Sequence, residues 1–290
     1  MLQNRATLQQ IRFHLLEELR QIYTENESDA MVRLIMEHVG YPLDMALRDP
    51  LQVPEPSVIA RVEEIIVDMR TGKPIQYVLG RTHFCDLTIR VNPHVLIPRP
   101  ETEELVEHIK QKFPEPGNLR LRRIMDLGTG SGCIALALKH AFPHAEVWGA
   151  DISEDALSLA RDNGRLNHLH VNWLHLDLLN MQIQEPWAPF DLVVSNPPYV
   201  LESERKAMAT HITEFEPGSA LFVEDHDPLV YYGAIASFCS RFLSVKGEIW
   251  VEIHEKMGKE TSLVFKKQGY SEVSTLKDIH EKERYIHACR

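Results

Sequence analysis

Residues 123–132 read RIMDLGTGSG, the pattern of a short apolar strand that runs into a glycine-rich turn. The helix-forming run CIALAL follows at 133–138. Glycines at alternate positions let a backbone turn tightly and approach a ligand that a Cβ atom would exclude. The spacing G-x-G-x-G lacks the fuller dinucleotide pattern G-x-G-x-x-G, which binds a pyrophosphate. The segment therefore predicts a strand–turn–helix unit of an α/β fold that binds a ligand without phosphate.

Two carboxylates lie on either side of the turn and helix of this unit. Asp126, just before the loop, would repel a phosphate but can receive an ammonium group. The run 146–151 has the pattern of a second strand, and it ends in Asp151. In α/β nucleotide sites a carboxylate at that place, about twenty residues after the loop, holds ribose hydroxyls. The predicted ligand has an amino acid head group and a ribose, which S-adenosylmethionine provides.

A second motif, Ser195-Asn196-Pro197-Pro198-Tyr199, follows the apolar run 190–194, which has the pattern of a buried parallel strand. Two successive prolines cannot continue a strand, so the chain must break there and turn its carbonyl groups outward. Ligands of open α/β sheets bind at the carboxyl ends of strands. Hydrogen-bond acceptors beside a flat ring suit a planar NH2 group, on a carboxamide or a base. The alternative is a rigid turn that happens to contain Asn and Tyr.

Together these motifs resemble the class I S-adenosylmethionine-dependent methyltransferases. NPPY at 196–199 is typical of members that methylate planar nitrogens, either adenine in nucleic acid or glutamine in protein. Further segments are similar to the protein-(glutamine-N5) methyltransferases of bacterial peptide chain release factors, the HemK or PrmC family. They are GKPIQYVLG at 72–80, LIPRPETE at 96–103, FEP at 215–217 and ERY at 283–285. The resemblance covers the chain from about Met1 to Arg290 and is weakest over the first seventy residues or so.

The resemblance implies a Rossmann-like seven-stranded sheet with a small N-terminal helical domain joined by a β-hairpin. We expect a helical substrate-docking domain at 1–75, a hairpin linker at 76–98 and the methyltransferase domain at 99–290. Alternating strand and helix patterns independently predict a parallel, doubly wound sheet. The last two strands are too close in sequence for a helical crossover, so the final one should be antiparallel. Strands are expected near 123–127, 146–151, 171–176, 190–195, 247–253, 272–277 and 284–289, and helices near 101–112, 131–141, 154–167, 228–242 and 257–268.

Helical periodicity dominates the first part of the chain. One helix is expected from Thr7 to Tyr23. Ser28 and Asp29 can cap a second helix that ends at Val39, and a third should run over 56–69. The alternation at 83–91 predicts the hairpin. These helices contain no clustered polar residues, so a catalytic unit is not expected there. The family resemblance implies a docking surface; the alternative is a cap that only stabilises the sheet domain.

The resemblance also assigns residues to the cofactor. The family often has an aromatic residue after the acidic residue that ends the third strand, but here Leu178 follows Asp177. This departure leaves an aliphatic contact for the adenine. The expected cofactor residues are Asp126, Gly128, Thr129, Gly130, Ser131, Gly132, Asp151, Asp177, Leu178 and Asn196.

The expected substrate site consists of Asn196, Pro197, Pro198 and Tyr199. The side-chain oxygen of Asn196 and the carbonyl of Pro197 would accept hydrogen bonds from the amide NH2 and turn its lone pair toward the methyl group. Tyr199 would pack against the planar amide. No strong base is needed at the outset, so catalysis would rest on positioning and preorganised electrostatics.

Three further charged side chains leave two interpretations open. Arg99, Glu101 and Glu216 lie in the family-like segments and either contact the substrate or form salt bridges that fix the domain junction.

Charge and composition exclude other classes. The net charge is −11, whereas nucleic-acid binders usually carry a basic patch, and the one compact basic run, at 119–123, leads into a strand. The four cysteines have no C-x-x-C spacing and the 15 histidines no H-E-x-x-H, so no metal is expected. No apolar run approaches the roughly 20 residues that span a bilayer, and no signal peptide is recognisable. We expect a cytoplasmic monomer that binds neither membrane nor nucleic acid.

The predicted reaction is methylation of the glutamine side-chain nitrogen in the Gly-Gly-Gln motif of a release factor, which converts S-adenosylmethionine to S-adenosylhomocysteine. The nearest alternative is a glutamine methyltransferase that acts on a ribosomal protein. An adenine N6 methyltransferase is disfavoured by the acidic charge. A non-catalytic module that senses the cofactor would not need the NPPY motif.

Overall fold

The computed structural model describes residues 5–114, 120–181 and 187–290; Met1 to Asn4, and Leu119 of the basic run, lie outside these ranges. The chain divides into two compact units, Met1–Gly80 and Arg81–Arg290. All four cysteines are free thiols. Within the described ranges no helix is long and apolar enough to cross a bilayer. The same ranges contain no group of three or more side chains suited to hold a metal ion.

The first unit is helical, as predicted. Its core consists of the apolar stripes of the helices, including Ile11, Leu15, Ile35 and Val62, none of which is exposed to solvent. The helices within the described residues are α1 (Leu8–Leu19), α2 (Glu25–His38), α3 (Leu43–Arg48), α4 (Pro56–Met69) and α5 (Ile75–Leu79).

Helix α2 begins earlier than the sequence predicts. Thr24 is its N-cap, and a capping box forms because the Thr24 side chain accepts from the backbone of Glu27 while the Glu27 side chain accepts from the backbone of Thr24. Ser28, the predicted cap, is instead buried inside the helix, where its hydroxyl donates to the Thr24 carbonyl at 2.8 Å. Helices α3 and α5 were not predicted, because six and five residues are too short to show a helical period.

The second unit is built on a seven-stranded sheet, which confirms the predicted class I methyltransferase architecture. A two-stranded hairpin precedes the sheet, and a second two-stranded pair follows the sixth strand of the chain. The strands are β1 (Arg81–Phe84), β2 (Leu87–Arg90), β3 (Arg123–Leu127), β4 (Glu146–Asp151), β5 (Asn172–His175), β6 (Phe190–Ser195), β7 (Val200–Leu201), β8 (Phe222–Val223), β9 (Leu243–Glu252), β10 (Glu272–Lys277) and β11 (Glu283–Cys289). The helices are α6 (Pro100–Lys112), α7 (Cys133–Ala141), α8 (Glu154–Leu166), α9 (Thr210–Phe215), α10 (Val230–Phe242) and α11 (Gly258–Lys267).

The order across the sheet is β10-β11-β9-β6-β3-β4-β5. Strands β9, β6, β3, β4 and β5 are parallel, and β11 is antiparallel to both of its neighbours, as predicted. The segment between β10 and β11 turns tightly because the Asp278 carboxylate accepts from the backbone N–H groups of His280 and Lys282. Strand β11 also reaches the first turn of α6, since the Tyr285 hydroxyl donates to the Glu101 carbonyl at 2.7 Å.

The hairpin of β1 and β2 belongs to the second unit. Cys85 and Asp86 form its two-residue turn, both with positive φ (46° and 64°), the geometry that matches the twist of paired strands. Asn163 of α8 binds the end of β2 through both ends of its amide. Its oxygen accepts from the Arg90 N–H at 2.7 Å, and its nitrogen donates to the Arg90 carbonyl at 3.0 Å. These bonds hold the hairpin against α8.

Candidate active site

A cavity of about 350 Å³ opens at the carboxyl ends of the central parallel strands. The glycine-rich turn after β3, the end of β4, the segment after β5 and the NPPY turn after β6 all contribute to its wall. Asp126, Gly132 and Tyr199 do not line the cavity, although the sequence places them in the site. The predicted site residues that do line it are Gly128, Thr129, Gly130, Ser131, Asp151, Asp177, Leu178, Asn196, Pro197 and Pro198.

The glycine-rich turn is pinned to the end of β4. The backbone N–H groups of Gly128 and Thr129 both donate to the Ala150 carbonyl at 2.9 Å. Gly132 has a φ of 82°, and a Cβ atom on it would lie 2.7 Å from the ring of Trp173. This close approach gives Gly132 a packing role beside the cavity, because real Cβ contacts are never so short.

Asp126 lies fully buried beside the turn. Its Oδ2 atom accepts from the Thr129 hydroxyl at 2.5 Å and from the Ala135 N–H at 3.2 Å. Its Oδ1 atom is buried without a hydrogen-bond partner in the described part of the chain. Burial is the main cause that raises the pKa of Asp126 to about 7. The carboxyl therefore fixes the turn through Oδ2, while Oδ1 makes no hydrogen bond within the described residues.

This pKa shift predicts a pH dependence of stability. Folded Asp126 holds its proton up to about pH 7, whereas its usual pKa is 3.8, so the native state binds more protons in this window. The contribution of protonated Asp126 to the free energy of unfolding is fully present below pH 4 and is lost as the pH rises through about 7. Asp126→Asn stays uncharged, so it lacks this loss of stability. The free energy of unfolding of the variant minus that of the wild type should therefore rise by up to about 1.4 kcal/mol per pH unit between pH 5 and pH 7. Urea unfolding of both proteins across this range tests the prediction, which a constant difference would contradict.

Asp151, at the end of β4, organises the backbone and also faces the cavity. Its Oδ2 atom accepts from the Gly130 N–H at 2.8 Å, and its Oδ1 atom accepts from the Ser153 N–H at 2.9 Å. A carboxylate has about four lone-pair sites, so Asp151 keeps acceptor capacity for a ligand. Burial raises the pKa of Asp151, while the donated backbone bonds oppose this shift.

The segment after β5 brings Asp177 and Leu178 to the cavity. Asp177 accepts from the backbone of Leu179 at 2.9 Å and from the side chain of Asn180 at 2.8 Å. The side-chain bond from Asn180 is the largest cause that lowers the pKa of Asp177. An aromatic ring does line the cavity, but it comes from Tyr231 in the first turn of α10. No motif around Tyr231 indicated this position, which follows only from the fold.

The NPPY turn is held from three sides. The Ser195 hydroxyl donates to the Leu127 carbonyl at 2.6 Å and joins β6 to β3 at the rim of the cavity. The Asn196 side-chain nitrogen donates to the Thr102 hydroxyl at 3.0 Å. The Tyr199 hydroxyl donates to the Glu252 carboxylate at 2.8 Å, and its ring meets the ring of His254 edge-on. Tyr199 is thus anchored to β9 and its hydroxyl is engaged away from the cavity lining.

Thr102 and Glu252 are polar residues that the sequence did not single out. The Thr102 hydroxyl donates to the Glu252 carboxylate at 2.8 Å, and the two side chains are only 2% and 1% exposed. Burial raises the pKa of Glu252, and the hydrogen bonds from Thr102 and Tyr199 oppose this shift. Thr102 lies within the segment 96–103, in which the sequence indicated a role only for the charged residues Arg99 and Glu101.

Arg99 and Glu216 pair with each other. The Arg99 guanidinium donates to the Glu216 carboxylate at 2.6 Å, and the same carboxylate accepts from the Ile97 N–H at 3.1 Å. The Glu216 side chain is 1% exposed, while Arg99 is partly exposed and lines the cavity. Glu101 contributes its backbone carbonyl to Tyr285. These contacts favour a role for the Arg99–Glu216 pair in holding the segment after the NPPY turn near the start of α6.

Comparison with known proteins gives matches over nearly the whole chain. The family model "Methyltransferase small domain" matches residues 100–219. The release factor glutamine methyltransferase of Flavobacterium psychrophilum is 37% identical over 277 residues, 95% of this chain and 96% of that protein. The release factor glutamine methyltransferase of Bacteroides thetaiotaomicron is 40% identical, over 79% of this chain and 80% of that protein.

Solved structures share the fold over about 70% of the chain at low sequence identity. A 16S rRNA methyltransferase of T. thermophilus, solved with AdoMet and guanosine, has a TM-score of 0.53 at 20% identity, over 72% of this chain and 49% of that one. A methyltransferase of Pyrococcus furiosus has a TM-score of 0.50 at 17% identity, over 70% of this chain and 88% of that one. Both similarities concern the fold alone.

Proposed function

Because the chain belongs to the release factor glutamine methyltransferase family, we propose that it transfers a methyl group from S-adenosylmethionine to the side-chain nitrogen of a release factor glutamine. The glutamine is that of the Gly-Gly-Gln motif, and S-adenosylhomocysteine is the second product. The observation that carries the proposal is the amide of Asn196, which lines the cavity with its nitrogen bound to Thr102. Its oxygen has no partner among the described residues and is available as an acceptor.

The cavity suits S-adenosylmethionine by its donor and acceptor set. A Cβ atom added to Gly128 or Gly130 would meet no atom within 4 Å, so both glycines border open space that a ligand can fill. Asp151 keeps acceptor capacity for ribose hydroxyls, and the ring of Tyr231 and the aliphatic side chain of Leu178 offer apolar surface for an adenine. When bound, S-adenosylmethionine supplies an electrophilic methyl group on a sulfonium.

The protein's own task is to orient a poor nucleophile. The lone pair of a carboxamide nitrogen is delocalised into its carbonyl. The side-chain oxygen of Asn196 and the Pro197 carbonyl each accept a hydrogen bond from the NH2 group of the substrate amide. These two bonds fix the NH2 group and turn its lone pair toward the methyl carbon. The amide nitrogen would become acidic only as it is methylated and would then release its proton to water, so no strong base is needed at the outset. Positioning and fixed dipoles account for the rate enhancement.

The substrate is a protein in the cytoplasm, and the enzyme acts as a monomer without direct contact to nucleic acid. The net charge of −11 supports a protein substrate, because a nucleic acid would be repelled.

One experiment tests the proposed function directly. The purified chain is incubated with methyl-labelled S-adenosylmethionine and, in separate reactions, with a release factor, a ribosomal protein extract and DNA. Label on the glutamine of the Gly-Gly-Gln peptide, located by mass spectrometry, is the expected result. Label on a ribosomal protein glutamine or on adenine, with an unlabelled release factor, would contradict it.

The helical unit is the docking surface for parts of the release factor remote from the glutamine. Large apolar side chains are exposed in the last turn of α3 and in the segment that follows it, namely Leu47, Leu51 and Val53, with exposed fractions of 59%, 71% and 49%. Binding energy from remote contacts raises the rate of a slow acceptor.

We therefore expect a chain that starts at Arg81 to bind S-adenosylmethionine normally but to lose roughly 5- to 10-fold or more of its kcat/KM on the intact factor. Its rate on a short Gly-Gly-Gln peptide should equal that of the full chain. As an independent test, the full-length Leu51→Ser and Val53→Ser variants should show the same selective loss. Unchanged rates on the intact factor in all three proteins would mean that the helices only stabilise the fold.

A further inference from the structure

A buried line of hydrogen bonds runs from the cavity into the sheet. Asn196 donates to Thr102, Thr102 donates to Glu252, and Tyr199 donates to the other oxygen of Glu252, over distances of 3.0, 2.8 and 2.8 Å. Thr102 comes from the first turn of α6, Glu252 from the end of β9, and the other two from the NPPY turn. This line of bonds thus links three separate parts of the second unit.

The line of bonds has a fixed direction. The ionised carboxylate of Glu252 only accepts hydrogen bonds, so in this state the Tyr199 and Thr102 hydroxyls both donate to it. The single proton of Thr102 is then committed, and its oxygen can only accept. The Thr102 oxygen therefore selects the nitrogen end of the Asn196 amide, which leaves the oxygen end for the cavity.

This direction matters because the two ends of an asparagine amide have nearly the same shape. A reversed Asn196 would present its NH2 group to the NH2 group of a substrate glutamine, and donor would face donor. Steric packing cannot prevent this reversal, because both orientations of the amide fill the same space. A partner that can only accept a hydrogen bond does prevent it, because it pairs only with the NH2 end of the amide.

We infer that Thr102 is a positioning residue, which holds the Asn196 amide with its oxygen toward the substrate and is itself oriented by Glu252. The inference rests on the proposed function, since it assigns Asn196 as the acceptor of the substrate N–H bonds. A purely structural role for Thr102 would affect stability and cofactor binding together, whereas a positioning role affects kcat.

The decisive comparison uses two substitutions at Thr102. Thr102→Val keeps the shape and removes the hydroxyl, and it should lower kcat on the release factor by about 10- to 100-fold. KM for the factor and Kd for S-adenosylmethionine should stay within about threefold of the wild type. Thr102→Ser keeps the hydroxyl and should restore kcat to within about threefold.

A matched control is available at Thr261 in α11, which is fully buried and whose hydroxyl has no partner in the described part of the chain. Thr261→Val repeats the same chemical change and should leave all three parameters within about twofold of the wild type. Thermal unfolding of every variant accompanies the kinetics.

Glu252→Gln provides a second, independent test. A glutamine amide can donate to Thr102, which frees the Thr102 proton to donate to Asn196 and reverses the amide. We expect a loss of kcat as large as that of Thr102→Val, and the double variant should be no slower than either single variant, because the residues act as one unit.

The outcomes separate this inference from the function on which it rests. A wild-type protein that leaves the release factor unlabelled overturns both. An active wild type with an equally active Thr102→Val, a Thr102→Ser that fails to restore kcat, or additive losses in the double variant would overturn the positioning role alone.

Discussion

Asn196→Ala is expected to lower kcat for methylation of a release factor by about 100- to 1,000-fold, the effect of losing one preorganised hydrogen-bonding group, or about 2.7–4 kcal/mol. The affinity for S-adenosylmethionine should stay close to that of the wild type. The substitution removes the acceptor of the substrate NH2 group and leaves Thr102 without its donor. Single-turnover methylation, which isolates the chemical step, and calorimetry of cofactor binding measure the two effects.

Asn172→Ala is the matched control for this variant. Asn172 lies at the start of β5, away from the cavity lining, and its side-chain nitrogen donates to the Val147 carbonyl at 3.3 Å. Its loss should leave kcat unchanged. An Asn196→Ala protein that retains activity within a few-fold of the wild type would refute the role of the NPPY turn.

Asp151→Ala should have the opposite profile and chiefly weaken the binding of S-adenosylmethionine. Ribose hydroxyls that lose their acceptor cost about 1–3 kcal/mol, which corresponds to roughly 5- to 150-fold in Kd. The structure adds a second reason, because Asp151 also accepts from the N–H groups of Gly130 and Ser153. Its removal loosens the turn that borders the cofactor.

Asp162→Ala removes the same charge from the exposed face of α8, where Asp162 accepts from Arg165 at 2.7 Å, and should leave cofactor affinity unchanged. Equal Kd values for wild type and Asp151→Ala, measured by calorimetry, would place the ribose elsewhere in the cavity.

The sequence predicts the sheet well because each of its central strands is a short apolar run bounded by a turn. The glycine-rich turn and the two prolines of the NPPY turn mark where β3 and β6 end, so the carboxyl edge of the sheet was predictable from local signals. Local signals gave the wrong start for α2, because Thr24 caps the helix four residues before Ser28. They gave no indication of α3 and α5, which are too short to show a helical period.

The contacts around the site were less predictable because they join residues far apart in the chain. Thr102 and Glu252 are 150 positions apart, and neither has a motif that indicates its partner. The pairing of Arg99 with Glu216 has the same origin. Tyr231 reaches the cavity only because α10 begins at that edge of the sheet. Residue types at motif positions thus predicted many of the residues that line the cavity, while Tyr231 and the bonds that orient the lining residues required the topology.

The placement of β11 has a consequence for the order in which the molecule is assembled during synthesis. This strand follows both β9 and β10 along the chain but lies between them, so each presents an unpaired edge until β11 emerges from the ribosome. Exposed strand edges are sites of aggregation, and a nascent chain displays them for as long as its partner strand is missing. Tyr285 of β11 also bonds to the first turn of α6, so this contact too can form only after the last strand has emerged.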